Sequence, residues 1–158
     1  MEEDFMQVSK YFIPFSNPEE LLKWMSDNLR YSEFTTLMSG EEVYRNRRGS
    51  CHDQVMLEVE QFKLMGIDTK VWFAMEYNDK GQGGRTHSFV TYPGPGKTII
   101  WFENAWESAR GIHRFQNNIR MREMVRKMWD KDKKVSKYLD FRSSYRMEAR
   151  YDPSANCR

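Results

Sequence analysis

Apolar residues recur at intervals of three and four in three stretches of the chain and crowd into short runs in three others. In the first stretch Leu21, Leu22, Trp24, Met25 and Leu29 form one helical stripe. Ser16-Asn17-Pro18-Glu19-Glu20 precedes it. A polar cap, a proline in the first turn and acids at the positive end of the dipole mark a helix start. Cys51, Val55, Val59, Phe62 and Met65 share a face of a second helix, which Gly66 is placed to end. Ile119, Met121, Met124, Val125, Met128 and Trp129 mark a third, with basic residues between them. Between the second and third helices the period changes. Residues 69–75 (TKVWFAM), 87–92 (HSFVTY) and 97–102 (KTIIWF) are β-branched and aromatic, and read as strands. Asp79-Lys80-Gly81-Gln82-Gly83-Gly84 and Pro93-Gly94-Pro95-Gly96 are the turns that join them. Short Gly-rich turns predict an antiparallel meander packed on the Cys51 helix, an α+β fold in one domain over residues 1–158.

Composition supports a packed domain. A chain of 158 residues can bury a sizeable core, and a charged share of 30% beside a hydrophobic share of 39% is that of a globular protein. Aromatics at 15% and 11 Met indicate that the core is built from bulky and adaptable side chains more than from aliphatic runs. The net charge of +2 conceals an acidic leaning from Met1 to Glu42 and a basic stretch, Arg114, Arg120, Arg122, Arg126, Lys127, Lys131, Lys133 and Lys134. Glu123, Asp130 and Asp132 are interspersed there, so the stretch reads as a solvated face and predicts no specific nucleic-acid partner. No apolar run approaches the roughly 20 residues of a membrane span, and the acidic start MEEDFMQ is unlike a signal peptide. Two cysteines, Cys51 and Cys157, are too few for a disulfide framework, and the polar tail around Cys157 gives no reason to expect a bridge. The expectation is a reducing, cytoplasmic location with no membrane contact.

A free cysteine in mid-chain is the first residue to weigh for chemistry. Gly49-Ser50 leads into Cys51 and the apolar stripe comes after it, so the thiol is expected at a helix N-terminus. Unpaired N–H groups and the dipole there favour a thiolate and can hold a developing oxyanion. Gly49 admits a close approach of substrate or an unusual backbone angle just before the nucleophile. A thiolate needs an imidazole partner, and His87, opening the strand after the Gly-rich turn, is the candidate base. The imidazole needs an acceptor that fixes its tautomer, and Glu103 and Asn104 at the end of the next strand are both candidates. Glu103 is preferred, because a carboxylate also stabilises the imidazolium.

With these residues in view the chain resembles the transglutaminase-like superfamily of papain-like thiol enzymes. Arg48-Gly49-Ser50-Cys51-His52-Asp53 followed by Leu64-Met65-Gly66-Ile67 is similar to the family's nucleophile helix. Thr86-His87-Ser88-Phe89-Val90 resembles its His strand, and Ile99-Ile100-Trp101-Phe102-Glu103 its Trp-bearing strand before the third catalytic member. Asn28-Leu29-Arg30-Tyr31 looks like the opening segment. The resemblance covers about residues 18–115 and leaves residues 116–158 as a helical extension. It implies a papain-like core and a catalytic Cys51, His87 and Glu103. It also implies a cleft with an oxyanion hole around Gly49, Ser50, Phe89 and Trp101. Two departures stand out. The family's third member is usually Asp, where this chain offers Glu103 and Asn104, and the aromatic two places after the His is Phe89 rather than Trp.

The expected activity is thiol-dependent acyl transfer on an amide bond of a protein or peptide, with hydrolysis favoured over transamidation onto a Lys amine. A non-catalytic binding module on the same scaffold is the alternative, and a nucleic-acid-associated protein using the basic helix a third class. No cofactor is expected. A metal site built on His52, His113 and Cys157 lacks the short ligand spacing that zinc requires. Gly81-Gln82-Gly83-Gly84 lacks the Lys-Ser or Lys-Thr of a phosphate loop and reads instead as a loop that flexes beside His87.

Overall fold

Asn17 caps the first helix, its side-chain oxygen accepting the Glu20 N–H at 2.9 Å, and Pro18 occupies the first turn. The computed structural model describes residues 15–33, 37–77, 80, 83–133, 138–144 and 156–157. Helix α1 (Pro18–Asn28) buries Leu21 and Met25 and leads into the short strand β1 (Arg30–Tyr31). β1 pairs in parallel with β2 (Arg48–Gly49), on the far side of a short helix α2 (Gly40–Asn46). This ribbon fixes the entry to α3 (Cys51–Leu64). Gly66, at φ 75°, ends that helix in a conformation that glycine adopts without strain.

The main sheet is built from β3 (Lys70–Tyr77), β4 (Gly83–Pro93), β5 (Ile99–Glu103), β6 (Gly111–Phe115) and β7 (Tyr138–Ser144), in the order β6-β5-β4-β3-β7 and antiparallel throughout. A two-residue strand β8 (Asn156–Cys157) runs parallel to the start of β4. Helix α4 (Asn118–Lys133) joins β6 to β7.

Period-two alternation divides the buried side chains between two faces of this sheet. Val71, Phe73, Val90, Tyr92 and Phe102 face one way and pack with Val55, Leu57 and Phe62 of α3 and Leu21 and Met25 of α1. Trp72, Ala74, Phe89 and Trp101 face the other way, beneath Met121, Val125 and Trp129 of α4. The Cys51 helix is thus packed on an antiparallel sheet, within an α+β architecture.

Several expectations need correction. The stretch after residue 115 is not purely helical: after α4 the chain returns to pair β7 with the outer edge of β3, and β8 with β4. The second helix is not simply amphipathic. Sandwiched between α2 and the sheet, it buries Gln54, Glu58 and Gln61 as well as Val55 and Phe62, while Val59 and Met65 are only partly covered. On α4, Ile119 and Met124 are exposed rather than in the core. His87 does not open its strand. Pairing with Met75 and Tyr77 draws Gly83 to Thr86 into β4 and leaves His87 its fifth residue. Asp79, Gly81 and Gln82 of the expected flexible loop lie outside the described residues, as does Lys134. No helix among the described residues is long and apolar enough to cross a membrane.

Candidate active site

Ser50 is the N-cap of α3, and with Asp53 it forms a reciprocal capping box. The Ser50 N–H and hydroxyl both donate to Asp53 Oδ2 at 2.9 Å, and Asp53 Oδ1 accepts the Met38 N–H at 2.8 Å. Asp53 therefore ties the preceding loop to the helix start. It also explains Gly49, where an added Cβ would lie 2.8 Å from Asp53 Cβ. Gly49 serves close packing, and its φ is not in the left-handed region. The Ser50 side chain, expected beside an oxyanion hole, is engaged in capping.

Cys51 is the first residue of α3 and is 1% exposed. The Ser88 N–H of β4 donates to its Sγ at 3.3 Å, so the peptide that joins His87 to Ser88 abuts the sulfur. The expectation of two free thiols fails: no cysteine is free among the described residues, Cys51 is disulfide-bonded, and Cys157 is the only other cysteine in the sequence. Strand β8 sets Cys157 opposite Thr86, the residue before His87. Spacing in sequence carries no signal of such an approach, because it depends on where the sheet returns the tail.

His87 lies on the Phe89 side of β4. Its ring stacks on Phe89 (centroids 5.9 Å apart, planes 21°) and meets Trp106 edge-on at 5.4 Å. His87 Nε2 and Glu103 Oε1 are 2.5 Å apart in a pair exposed by only 5% and 2%. Glu103 is further held by the Trp101 indole N–H at 3.3 Å and by the Trp106 backbone N–H at 3.1 Å. Asn104 turns elsewhere. Its side-chain amide donates to Gln54 Oε1 at 2.8 Å, and Gln54 donates to the Gly49 carbonyl at 3.1 Å. Of the two acceptors proposed for His87, Glu103 makes the contact and Asn104 braces the loop before Cys51.

Phe89 and Trp101 do not line an open cleft. At 1% and 0% exposure they are core under α4, with Phe89 a platform for the imidazole and Trp101 a donor to Glu103. Ser88, Gln54 and Trp106 complete the site. Ser88 stands between His87 and Phe89 and Gln54 one turn after Cys51, and both signal their roles only through the pairing of elements. Trp106 comes after Glu103 in a loop with no periodic pattern.

Behind the site Glu58 is buried on α3, and its carboxyl is pushed well above the usual carboxylate range, first by burial and then by the charge of Glu103. His52 stacks on Phe73 with Nδ1 2.5 Å from Ser88 Oγ, whereas His113 bonds the Ala109 carbonyl at 2.6 Å and packs on Trp101. Phe73 and Trp101 belong to different core clusters on the two faces of the sheet, so His52 and His113 are not placed together as members of one metal set. The site as a whole sets a sulfur at a helix N-terminus against a strand whose histidine is paired with a buried carboxylate. No protein-family model and no curated protein matches this chain.

Proposed function

We propose that the protein is a thiol-dependent acyl-transfer enzyme, a cysteine peptidase or amidase with Cys51 as nucleophile, His87 as base and Glu103 as the residue that orients the base. The observation that carries the reading is the buried His87–Glu103 pair, one peptide away from the sulfur at the start of α3. A papain-like, transglutaminase-type core belongs to this reading and is supported by the order helix start, His strand, carboxylate strand.

With Nε2 of His87 engaged by Glu103, Nδ1 is the nitrogen left to exchange a proton with the thiol. The thiolate adds to an amide carbonyl, and the oxyanion is met by N–H groups at the helix start. His87 then protonates the departing amine, leaving a thioester on Cys51. Water resolves it in a hydrolase and a Lys amine in a transferase, and hydrolysis is the preferred outcome. The substrate is a protein or peptide, with no cofactor, nucleic acid or membrane required.

The disulfide at Cys51 removes the free thiols on which the expected cytoplasmic location rests. Such a location now requires the bond to be a transient one, because lasting disulfides belong to oxidising compartments. A binding module without catalysis is the second reading, favoured by the engagement of Cys51 in a disulfide. The deciding experiment assays the dithiothreitol-reduced protein on a library of quenched peptide amides, with and without a fluorescent primary amine. The expected result is turnover that Cys51→Ala and His87→Ala abolish. Turnover indifferent to both substitutions would refute the mechanism.

A further inference from the structure

We propose that the C-terminal strand is a redox latch on the site, in which Cys157 forms a reversible disulfide with Cys51 and so shuts off the nucleophile. The inference rests on the reading of Cys51 as that nucleophile. Three observations lead to it.

The first is the bonding of Cys51. It is in a disulfide, and the sequence supplies one other cysteine.

The second is the register of the tail. One edge of β4 is taken along most of its length by β3, from Gly83 to Thr91. On the other edge β5 pairs only with Val90 to Pro93, and the edge at Arg85 and Thr86 is taken by β8. Ser88 lies between these two stretches, and its N–H is the group that meets Cys51 Sγ. The tail strand therefore enters the gap that β5 leaves beside the sulfur.

The third is burial. Cys51, His87 and Glu103 are almost fully covered, a state in which no peptide carbonyl reaches the sulfur. A latch that engages Cys51 accounts for the bond, and opening it is the step that frees the sulfur. The attachment is also weak apart from the bond, since two residues of parallel pairing do not hold a strand by themselves.

The chemistry balances with a small dithiol and a small disulfide as partners. For opening, one thiolate of the dithiol attacks the Cys157 sulfur, and Cys51 departs as a thiolate, a leaving group favoured by its place at a helix N-terminus. The second thiol of the reagent then displaces Cys157 and closes the reagent into its own disulfide. Two electrons and two protons have passed to the protein. For closing, Cys157 and Cys51 give two electrons and two protons to a low-molecular-weight disulfide, which leaves as two thiols.

The test uses the full chain, with iodoacetamide as probe and peptide mapping as readout. Before reduction the expected result is a mapped Cys51–Cys157 bridge and no labelled Cys51. After dithiothreitol Cys51 should label rapidly at mildly acid pH, where an ordinary thiol is protonated, and the thermal unfolding transition should persist. Oxidised glutathione should restore the bridge and abolish labelling. Cys157→Ser should label at Cys51 without reductant, at the rate of the reduced wild type, and Cys157→Ala serves as a second variant if Ser disturbs folding. Absence of the bridge, loss of the folded transition on reduction, or a Cys157 variant whose Cys51 stays inert while reduced wild type labels would each overturn the latch alone. A reversible bridge with a reduced Cys51 no more reactive than a thiol in the unfolded chain would overturn the nucleophile assignment, and the latch with it.

Discussion

Glu103 accepts from three directions, the His87 ring, the Trp101 indole and the Trp106 backbone, so its carboxylate is held in one orientation against the imidazole. Glu103→Gln keeps the volume but can turn an amide N–H toward His87 Nε2, which favours the wrong tautomer. With Glu103 orienting His87 as proposed, the expected result is a fall in kcat of about 100-fold to 10,000-fold on the reduced protein, with the thermal transition kept. Asn104→Ala should show the opposite pattern. It leaves Gln54 Oε1 without its partner in a buried place, so stability falls by about 1–3 kcal/mol while turnover changes little. Kinetics and urea unfolding on both variants separate the two roles, and a larger kinetic loss at Asn104 would transfer the orienting role to it.

Glu58 offers a second test at this scale, through pH. Its folded pKa lies above the unfolded value of about 4.3, so the folded state keeps a proton that the unfolded chain has released. The fold is therefore unpenalised by Glu58 below that value. It loses stability as pH rises from there to the raised folded pKa, at up to about 1.4 kcal/mol per pH unit. Glu58→Gln removes the titration. The stability gap between variant and wild type should be near zero at about pH 4 and widen in favour of the variant as pH rises. Urea unfolding across that range measures it, and a pH-independent gap would contradict a buried, protonated Glu58.

At the scale of elements, the features legible in the sequence had a local cause. The cap at Asn17, the terminator Gly66 and the aromatic runs of β3, β4 and β5 act within a few residues of themselves, and the observed elements fall close to them. Other elements were harder to see. Helix α2 has seven residues and no apolar stripe, although Ser39 and Glu42 form the capping box that announces it. Strand β7 alternates Leu139, Asp140 and Phe141 in the period of a strand, but it comes after a helix and reads as its continuation. The burial of Phe89 and Trp101 and the bonding of Cys51 depend on elements that arrive from distant parts of the chain, so no local pattern reports them. Helix α4 illustrates the division within one element. Met121, Val125 and Trp129 face the sheet, while Arg120, Arg126, Lys127 and Lys131 face outward. Part of that charge is already used. Arg120 pairs with Glu123 at 3.1 Å, and Arg126 donates to the Leu139 carbonyl at 2.9 Å. The expected behaviour toward nucleic acid is weak, non-specific binding that fades steeply as salt is raised. A titration of fluorescent duplex and single strands at low and physiological ionic strength checks it, and tight binding at the higher salt would revive a nucleic-acid role.

For the whole molecule, the question is whether residues 18–115 form a core that could stand without α4 and the last strands. The sheet argues that it is not. Its second face carries Trp72, Phe89 and Trp101, and these are covered by Met121, Val125 and Trp129 of α4 and by Leu139 of β7. Burial of a large apolar side chain contributes about 1.5–3 kcal/mol, so uncovering the three aromatics alone removes roughly 5–9 kcal/mol. That is comparable with the whole stability of a typical domain, about 5–15 kcal/mol. The loss would also reach the chemistry. Phe89 is the ring on which His87 stacks, Trp101 donates to Glu103, and Trp106, edge-on to His87, meets Trp129 of α4 at 6.0 Å. A chain ending at residue 116 is therefore expected to lose cooperative thermal unfolding and to bind a dye specific for exposed apolar surface. A chain ending at residue 150 keeps α4 and β7 but lacks β8 and Cys157. It should unfold cooperatively and label at Cys51 without reductant. Melting curves, dye fluorescence and alkylation on the two truncations make the comparison. A cooperative, well-folded chain ending at 116 would show that the second layer is an accessory, and that the site is held by α3 and the strands alone.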